Sequence, residues 1–337
     1  MASPLGHDAQ AWRRASEELA LPALAVPEAY GGLGFGPLEL CAVLEETGRA
    51  LWCGPLLATT VLGAGTLLAS GDDDACARWL PGIAAGECVA TLAHHRSGVL
   101  ASRRGAGWAL TGEQPVVVAG DVADLLLVPA QTAEGQRLFA VEGPAAGLHR
   151  EPRLTVDLTR RVARLRLEDV EAVPVGRAGA ADEVVRAVLD TAAVALAVEG
   201  VGAAHRLLEL ALDHARQRVQ FGRRIGSFQA VKHALVDTHV DLELARSVGE
   251  SAAYAWATGA PDLPLLAAFA RSFCSEVAVT AAVRCTQVFG GTGFTWEHPA
   301  HLYLKRVKGS ALLLDPAGRQ RARLAEQLGL AAAGGRR

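Results

Sequence analysis

Apolar residues recur at helical spacing toward both ends of this chain and gather into short, turn-bounded runs in its middle. From residue 9 to about 83, Trp12, Ala15 and Leu19 repeat every three or four positions, and Leu40, Leu44, Thr47 and Leu51 do so after Pro37. That spacing puts side chains on one face of a helix, and a proline at the first helical position forfeits no hydrogen bond. Pro27, Gly31, Gly32, Pro55, Gly63 and Gly65 divide the region into several helices. Strands are predicted over 88–92, 108–111, 115–119, 125–128, 138–141 and 162–167, separated by turn residues such as Glu134-Gly135 and Gly143-Pro144. From residue 182 the helical period returns, predicting helices over roughly 183–217, 228–257, 264–288, 300–314 and 317–330. The run 265–288 carries few charges and is expected to be buried nearly all round, as the central helix of a bundle would be. The pattern predicts an α+β chain: an N-terminal helical domain over 1–86, a middle antiparallel β domain over 87–178 and a C-terminal helical bundle over 179–337.

Composition narrows the possible roles. The 337 residues are 50% hydrophobic with a mean hydropathy of +0.21, enough apolar material for a large core. A formal net charge of −3, with Lys and Arg scattered along the chain, leaves no basic field for a nucleic-acid backbone. The six cysteines, Cys41, Cys53, Cys76, Cys88, Cys274 and Cys285, stand singly without CxxC or metal-like spacing, and read as reduced core residues. The first ten residues lack the regions of a signal peptide, and 277–283 is too short an apolar run to span a bilayer, so a cytoplasmic location is expected. The glycine-rich run 31–36 matches a dinucleotide fingerprint only in part and follows no predicted strand, so it reads as a loop. His298 and His301 flank Pro299 with no third ligand evident, and no metal site is expected.

Three short motifs carry the chemical signal. They are Arg218-Val219-Gln220-Phe221-Gly222, Phe228-Gln229-Ala230-Val231-Lys232-His233, and Gln287-Val288-Phe289-Gly290-Gly291 within 285–297. In this order and at these separations they resemble the C-terminal half of the acyl-CoA dehydrogenase family of flavoproteins, and the helix, β, helix order resembles that family's fold over nearly the whole chain. The resemblance implies that Arg218, Phe221, Gln229, Gln287, Gly290 and Gly291 hold the ADP portion of FAD across a subunit interface. Arginine supplies a permanent charge for pyrophosphate, glutamine bonds it or the ribose, and paired glycines let backbone N–H groups approach.

The same resemblance points to a loss. In the family an acyl thioester gives its α-proton to a desolvated carboxylate while a hydride leaves the β-carbon for flavin N5, and a neutral side chain cannot replace that base. An ungapped count from Gly290-Gly291-Thr292-Gly293 puts the usual glutamate position on Leu314, beside Asp315, which precedes Pro316 and reads first as a helix stop and turn. The alternative position on the first long bundle helix falls on Ala192, with Ala193 where an arginine often follows. Glu199 is the nearest carboxylate there. Asp315 and Glu199 are the remaining candidates for a base, and Glu297 reads as a turn-capping residue. The segments that would hold the flavin ring read Leu92-Ala93-His94-His95-Arg96 and Val116-Val117-Val118, largely without the family's hydrogen-bonding groups. His94 and His95 offer an acid–base pair only against the alternation that points neighbours on a strand to opposite faces.

Retention of one half-site and loss of the other resembles the base-lacking subunit of bacterial heteromeric acyl-CoA dehydrogenases. That likeness implies a related partner chain, a dimer of dimers, FAD shared with the partner, and an acyl-CoA or carrier-bound acyl substrate, sometimes a steroid side chain. Two alternatives stay open: an autonomous enzyme using a displaced carboxylate, and a flavin-free member that binds acyl thioesters for another purpose.

Overall fold

The computed structural model describes residues 8–94 and 98–330. The chain divides into two compact units, residues 1–40 with 53–192, and residues 41–52 with 193–337.

In the first unit, α1 (Ala9–Glu17) starts where Asp8 accepts hydrogen bonds from the backbone N–H groups of Gln10 and Ala11. After α2 (Pro37–Arg49) comes Leu57–Ala64, eight buried residues wound as a π-helix that runs into α3 (Gly65–Ser70). Gly63 permits this packing, since a Cβ there would lie 2.5 Å from the Cβ of Ala90 on the first strand. α4 (Asp73–Ala84) is capped by Asp72, which accepts from Ala75 N at 3.0 Å and from Gly176 N at 2.7 Å, so one carboxylate ties the helix to the end of the sheet.

The sheet has seven strands: β1 (Ala90–Leu92), β2 (Val99–Arg104), β3 (Gly107–Val118), β4 (Leu125–Thr132), β5 (Gly135–Glu142), β6 (Leu148–Pro152) and β7 (Val162–Val175). Two of these, β2 and β6, are not among the expected strands. Their burial patterns show one buried residue and none, so neither carries a buried apolar stripe for the sequence to display. The expected strands 108–111 and 115–119 are one strand, bent at register shifts between Leu110 and Gly112 and between Gln114 and Val117. The sheet is antiparallel in most of its pairings, as expected, with two parallel exceptions: β1 pairs with β4 in parallel, as does β2 at Leu100 opposite Gln131. Leu110, Leu126, Leu127, Val128, Phe139, Val141 and Leu165 are at most 1% exposed and form the core of this sheet.

The second unit is the helical bundle. It contains α5 (Ala181–Gln217) from Ala193 onward, a two-residue hairpin of β8 (Val219–Gln220) and β9 (Arg223–Arg224), α6 (Gln229–Ala257), α7 (Leu263–Phe289), α8 (Ala300–Leu312) and α9 (Ala317–Gln327). Its core joins Ala204, Leu207 and Leu208 of α5 to Leu235 and Leu242 of α6, Ala278 and Ala282 of α7, and Tyr303 and Val307 of α8. Residues 41–52 belong to this unit because glycines let α2 lie against α5. A Cβ on Gly48 would stand 2.0 Å from the carbonyl oxygen of Glu199, and one on Gly202 would stand 2.1 Å from that of Glu45. Arg246 to Glu45 at 2.6 Å and Arg49 to Glu209 at 2.9 Å flank the contact.

The α7 helix departs from expectation. By length and composition it could cross a membrane, but a little over half of its most apolar window (56%) is buried within the protein. It is not buried all round, because Phe269 and Val283 stand 39% and 50% exposed on a face the single chain leaves uncovered. Burial raises the thiols of Cys41, Cys88, Cys274 and Cys285 to about 12 and that of Cys76 to about 11.

Gly202→Ala is expected to destabilise the protein by about 1–3 kcal/mol, since the clash is with a carbonyl oxygen that cannot rotate away. A thermal melt followed by circular dichroism checks this, and an unchanged midpoint would mean that α2 is not seated on α5 in solution. The folded chain should also leave the five deeply protonated thiols unlabelled by a disulfide reagent near pH 8, with Cys53 reacting first. Rapid labelling of all six would show that the core opens readily.

Candidate functional site

The C-terminal end of α5, the N-terminal end of α6 and the C-terminal end of α7 lie at the same end of the bundle. The ring of His214 on α5 sits 5.2 Å from that of Phe289 on α7, and Phe289 sits 4.2 Å from His298. Burial lowers the proton affinity of His214, aided by His298 and Arg218, and burial does the same for His298. Arg218, a permanent cation at this edge, follows directly on α5, and its N–H donates to His214 O at 2.8 Å.

Beyond Arg218 the β8–β9 hairpin turns through Phe221 and Gly222 at φ +54° and +77°, the left-handed pair that a tight hairpin turn needs. The turn holds Phe221 out at 92% exposure, edge-on to Phe228 at 6.2 Å. The Arg223 guanidinium covers the Phe228 ring at 4.0 Å. Gln229 opens α6 and is exposed. Gln287 is exposed in the last turn of α7, where its carbonyl accepts from the N–H of Gly290. Gly290 has φ +59° and ψ −141°, and open space surrounds the Cβ positions of both Gly290 and Gly291. All six residues expected at an ADP site are thus exposed, on elements that end together. A permanent cation, two primary amides, a projecting aromatic ring and accessible glycine backbone form a surface suited to a phosphate-bearing, ring-bearing ligand.

The carboxylates behave differently. Glu199 is buried in an ion pair with Arg306 at 2.5 Å, with side chains 3% and 5% exposed, and Arg306 also donates to Trp52 O at 3.3 Å. Asp315 is turned toward α9, accepting from Gln320 Nε2 at 2.9 Å with Arg319 at 3.7 Å. Leu314 is half-buried with φ +58°, a left-handed conformation unusual for a leucine, in the turn between α8 and α9. That turn is clamped by Arg271 of α7, 1% exposed, which donates to Ser310 O, to Leu313 O at 3.1 Å and to Ser275 Oγ at 2.7 Å. Glu297 is held below the usual carboxylate range by a hydrogen bond from Thr295, in keeping with a local turn role. Ala192 and Ala193 are 0% and 4% exposed.

In the sheet, Val117 and Val118 are buried, Val116 is 42% exposed, and the Val118 carbonyl accepts from Thr91 Oγ1 at 2.9 Å. Ala93 is buried and His94 is half-buried, while His95 and Arg96 lie outside the described residues. His298 Nδ1 accepts from the N–H of Ala300 at 3.2 Å, and His301 packs edge-on against Trp296 at 4.8 Å, so each of these two histidines has a local partner.

The chain belongs to the acyl-CoA dehydrogenase family. It matches that family's N-terminal domain over residues 5–87 and its C-terminal domain over residues 183–329. The acyl-CoA dehydrogenase IpdE2 of Mycobacterium tuberculosis is 38% identical over 94% of this chain and 85% of its own length. Among solved structures, the ChsE4–ChsE5 complex from Mycobacterium tuberculosis superimposes with a TM-score of 0.87 at 30% identity, over 97% of this chain and 90% of that one. A Tcur3481–Tcur3483 steroid ACAD variant does so with a TM-score of 0.87 at 31% identity, over 99% and 92%. The butyryl-CoA dehydrogenase of Megasphaera elsdenii shares the fold, with a TM-score of 0.90 at 22% identity.

Two residues that shape this region, Arg271 and Arg306, were not singled out in the sequence. Arg271 had a signal: it is a lone cation in the apolar run 265–275, and a buried charge must be partnered. Arg306 had none, because Lys305 and Lys308 surround it and a basic cluster on a helix reads as a solvated face. Arg306→Leu should cost about 3–5 kcal/mol by leaving the Glu199 carboxylate buried without its cation. Replacing both residues with leucine should cost less than that single change. Urea unfolding of the two variants measures the difference, and a double variant weaker than Arg306→Leu would mean that Glu199 is neutral in the fold.

Proposed function

We propose that this chain is a cytoplasmic subunit of a heteromeric FAD-dependent acyl-CoA dehydrogenase, that it lacks a catalytic base of its own, and that it completes the cofactor site of a related partner chain. One asymmetry carries the reading. The six residues fit for the ADP end of FAD are exposed and clustered, whereas the base position holds Leu314 and the two nearby carboxylates are committed to Arg306 and to α9. FAD, when bound, accepts the hydride from the acyl β-carbon. In this chain Arg218 would balance the pyrophosphate charge, Gln229 and Gln287 would orient it, and Gly290 and Gly291 would let it approach the backbone. Val116 to Val118 offer no side-chain donor to a flavin ring, which supports assigning the ring to the partner.

Two similar structures, the ChsE4–ChsE5 complex and the Tcur3481–Tcur3483 steroid ACAD variant, pair two named chains, and this favours a bulky, steroid-derived acyl thioester over a short fatty acyl group. A dimer of dimers is the assembly proposed.

The protein purified alone should carry little FAD, by absorbance and by released flavin, and should gain it when co-expressed with a related base-bearing chain. Stoichiometric FAD on the chain alone would defeat the half-site reading and return Asp315 to consideration as a base. Within the assembled complex Arg218→Ala should weaken FAD retention about tenfold, the order expected for one charge-assisted contact, without altering the melt of the isolated chain. Leu314→Glu alone should yield no dehydrogenation, because the ring-binding groups are also missing. Robust turnover by that variant would show that only the base had been lost.

A further inference from the structure

A groove of about 520 Å³ lies between the end of α5 and the start of α6. Helical spacing builds its two walls. On α5, Leu212, Ala215 and Arg216 stand at i, i+3 and i+4, and so share one face. On α6, Lys232, Leu235, Val236 and His239 stand at i, i+3, i+4 and i+7, and share another. The turn that leads into α6 closes one end with Arg224, Gly226 and Ser227. Gly226 lets that turn press on α5, since a Cβ there would stand 2.9 Å from Ala215 O. Ser227 Oγ is turned back on its own turn, donating to Arg224 O at 2.7 Å.

Lining and rim differ in chemistry. Leu212, Ala215, Leu235 and Val236 make the lining aliphatic, Ala215 and Leu235 being buried, and no Phe, Tyr or Trp is among them. The rim carries Arg216, Arg224, Lys232 and His239, all exposed, and no carboxylate lines the groove. Among the described residues Arg224 and Lys232 have no acidic partner, while Arg216 meets only Asp213 of its own helix at 3.4 Å and His239 meets Glu243 at 3.9 Å. In a chain where Asp and Glu outnumber Lys and Arg by 36 to 33, this is a local inversion of charge. None of the six residues of the ADP surface lines the groove, so the two are separate sites.

We propose that this groove binds a small amphiphilic carboxylate, an acyl or ring-bearing acid whose apolar body lies between α5 and α6 and whose head meets Arg224 and Lys232. The volume is that of a small-molecule site, and its make-up of apolar walls with a few convergent polar groups is the usual one. Arg224 offers a planar fork to both carboxylate oxygens, and Lys232 adds a point charge. An aliphatic cleft without a stacking ring suits a hydrocarbon body better than a nucleobase. The cationic rim selects an anionic head over a neutral or cationic one. This assignment does not depend on which chain holds the flavin.

Isothermal titration of the full chain with laurate and with cholate, each below its micelle concentration, tests it. Laurate stands for a linear acid and cholate for a ring-bearing one, and at least one should bind saturably with a single site per chain. Dodecyltrimethylammonium, which pairs a similar chain with the opposite charge, should not compete. Arg224→Glu and Lys232→Glu should each weaken binding about tenfold or more, Lys232→Arg should retain it, and Val236→Asp should remove it. Unchanged melts would show that these exposed substitutions leave the fold intact. ADP should not displace the acid, because its surface is a different one. Failure of both acids to bind, competition by the cationic amphiphile, charge reversals without effect, or displacement by ADP would overturn the proposal. FAD content is not read in these experiments, so their failure stays separate from failure of the half-site reading.

Discussion

The buried contact between Glu199 and Arg306 is the constraint on which the helical unit depends. It joins the middle of α5 to α8 through a buried carboxylate and guanidinium 2.5 Å apart, each offsetting the other's desolvation. The surrounding geometry serves the same join. Arg306 reaches on to Trp52 O, the Tyr303 hydroxyl donates to Arg49 O at 2.6 Å, and Gly48 lies against the carbonyl of Glu199 itself. A single locus therefore sets the spacing of α2, α5 and α8. From α8 the chain passes through Leu313 and Leu314, where Arg271 holds the turn from the side of α7.

That constraint has a chemical consequence. A carboxylate that abstracts a weakly acidic α-proton must be desolvated and free to change its charge. Glu199 is desolvated, but protonating it would strand the Arg306 cation in the interior, so its ionisation is tied to the fold. Asp315 has the opposite shortcoming, being partly exposed and turned toward α9. The turn that holds Leu314 is meanwhile well defined by Arg271, so under the proposed reading a missing base there would reflect the residue present and not a collapsed backbone. Scaffold and chemistry are separable in this fold, as expected when function lives in a site carried by a fold shared with many others.

Much of this was legible from the sequence, for identifiable reasons. The long helices declare themselves because each buries one stripe and exposes another, so α5, α6 and α7 begin and end within a few residues of the predicted limits. The motifs around Phe221 and Gly290 were legible as sequence through their resemblance to the family, while the hairpin that Phe221 and Gly222 turn, both at positive φ, was not read from it. β2 and β6 were hidden because their pairing is a matter of backbone hydrogen bonds, with little apolar surface to mark it. The parallel direction of β1 against β4 was equally hidden, since alternation within a strand is blind to the direction of its neighbour. Glu199 was visible as a carboxylate in an apolar helix, but its partner lies 107 positions away and nothing local announces the pair.

The two halves of the proposed cofactor site differ in how they can be lost. An acid–base residue acts by its charge state in a closed environment, and one substitution to leucine abolishes that while adding apolar contact. The proposed ADP end lies on a hairpin turn, a helix start and a glycine turn, each of which also shapes the bundle end. Phe221 shows the limit of that structural explanation. Its turn needs a left-handed residue, yet nothing in the chain's own packing requires a phenyl ring at 92% exposure, and an asparagine or glycine would make the turn at less strain. A large aromatic side chain held in solvent by a strained backbone is the signature of a group meant for contact with something else. On that argument the proposed division holds together: the bundle end would serve binding, and a loss at Leu314 would be confined to the chemistry.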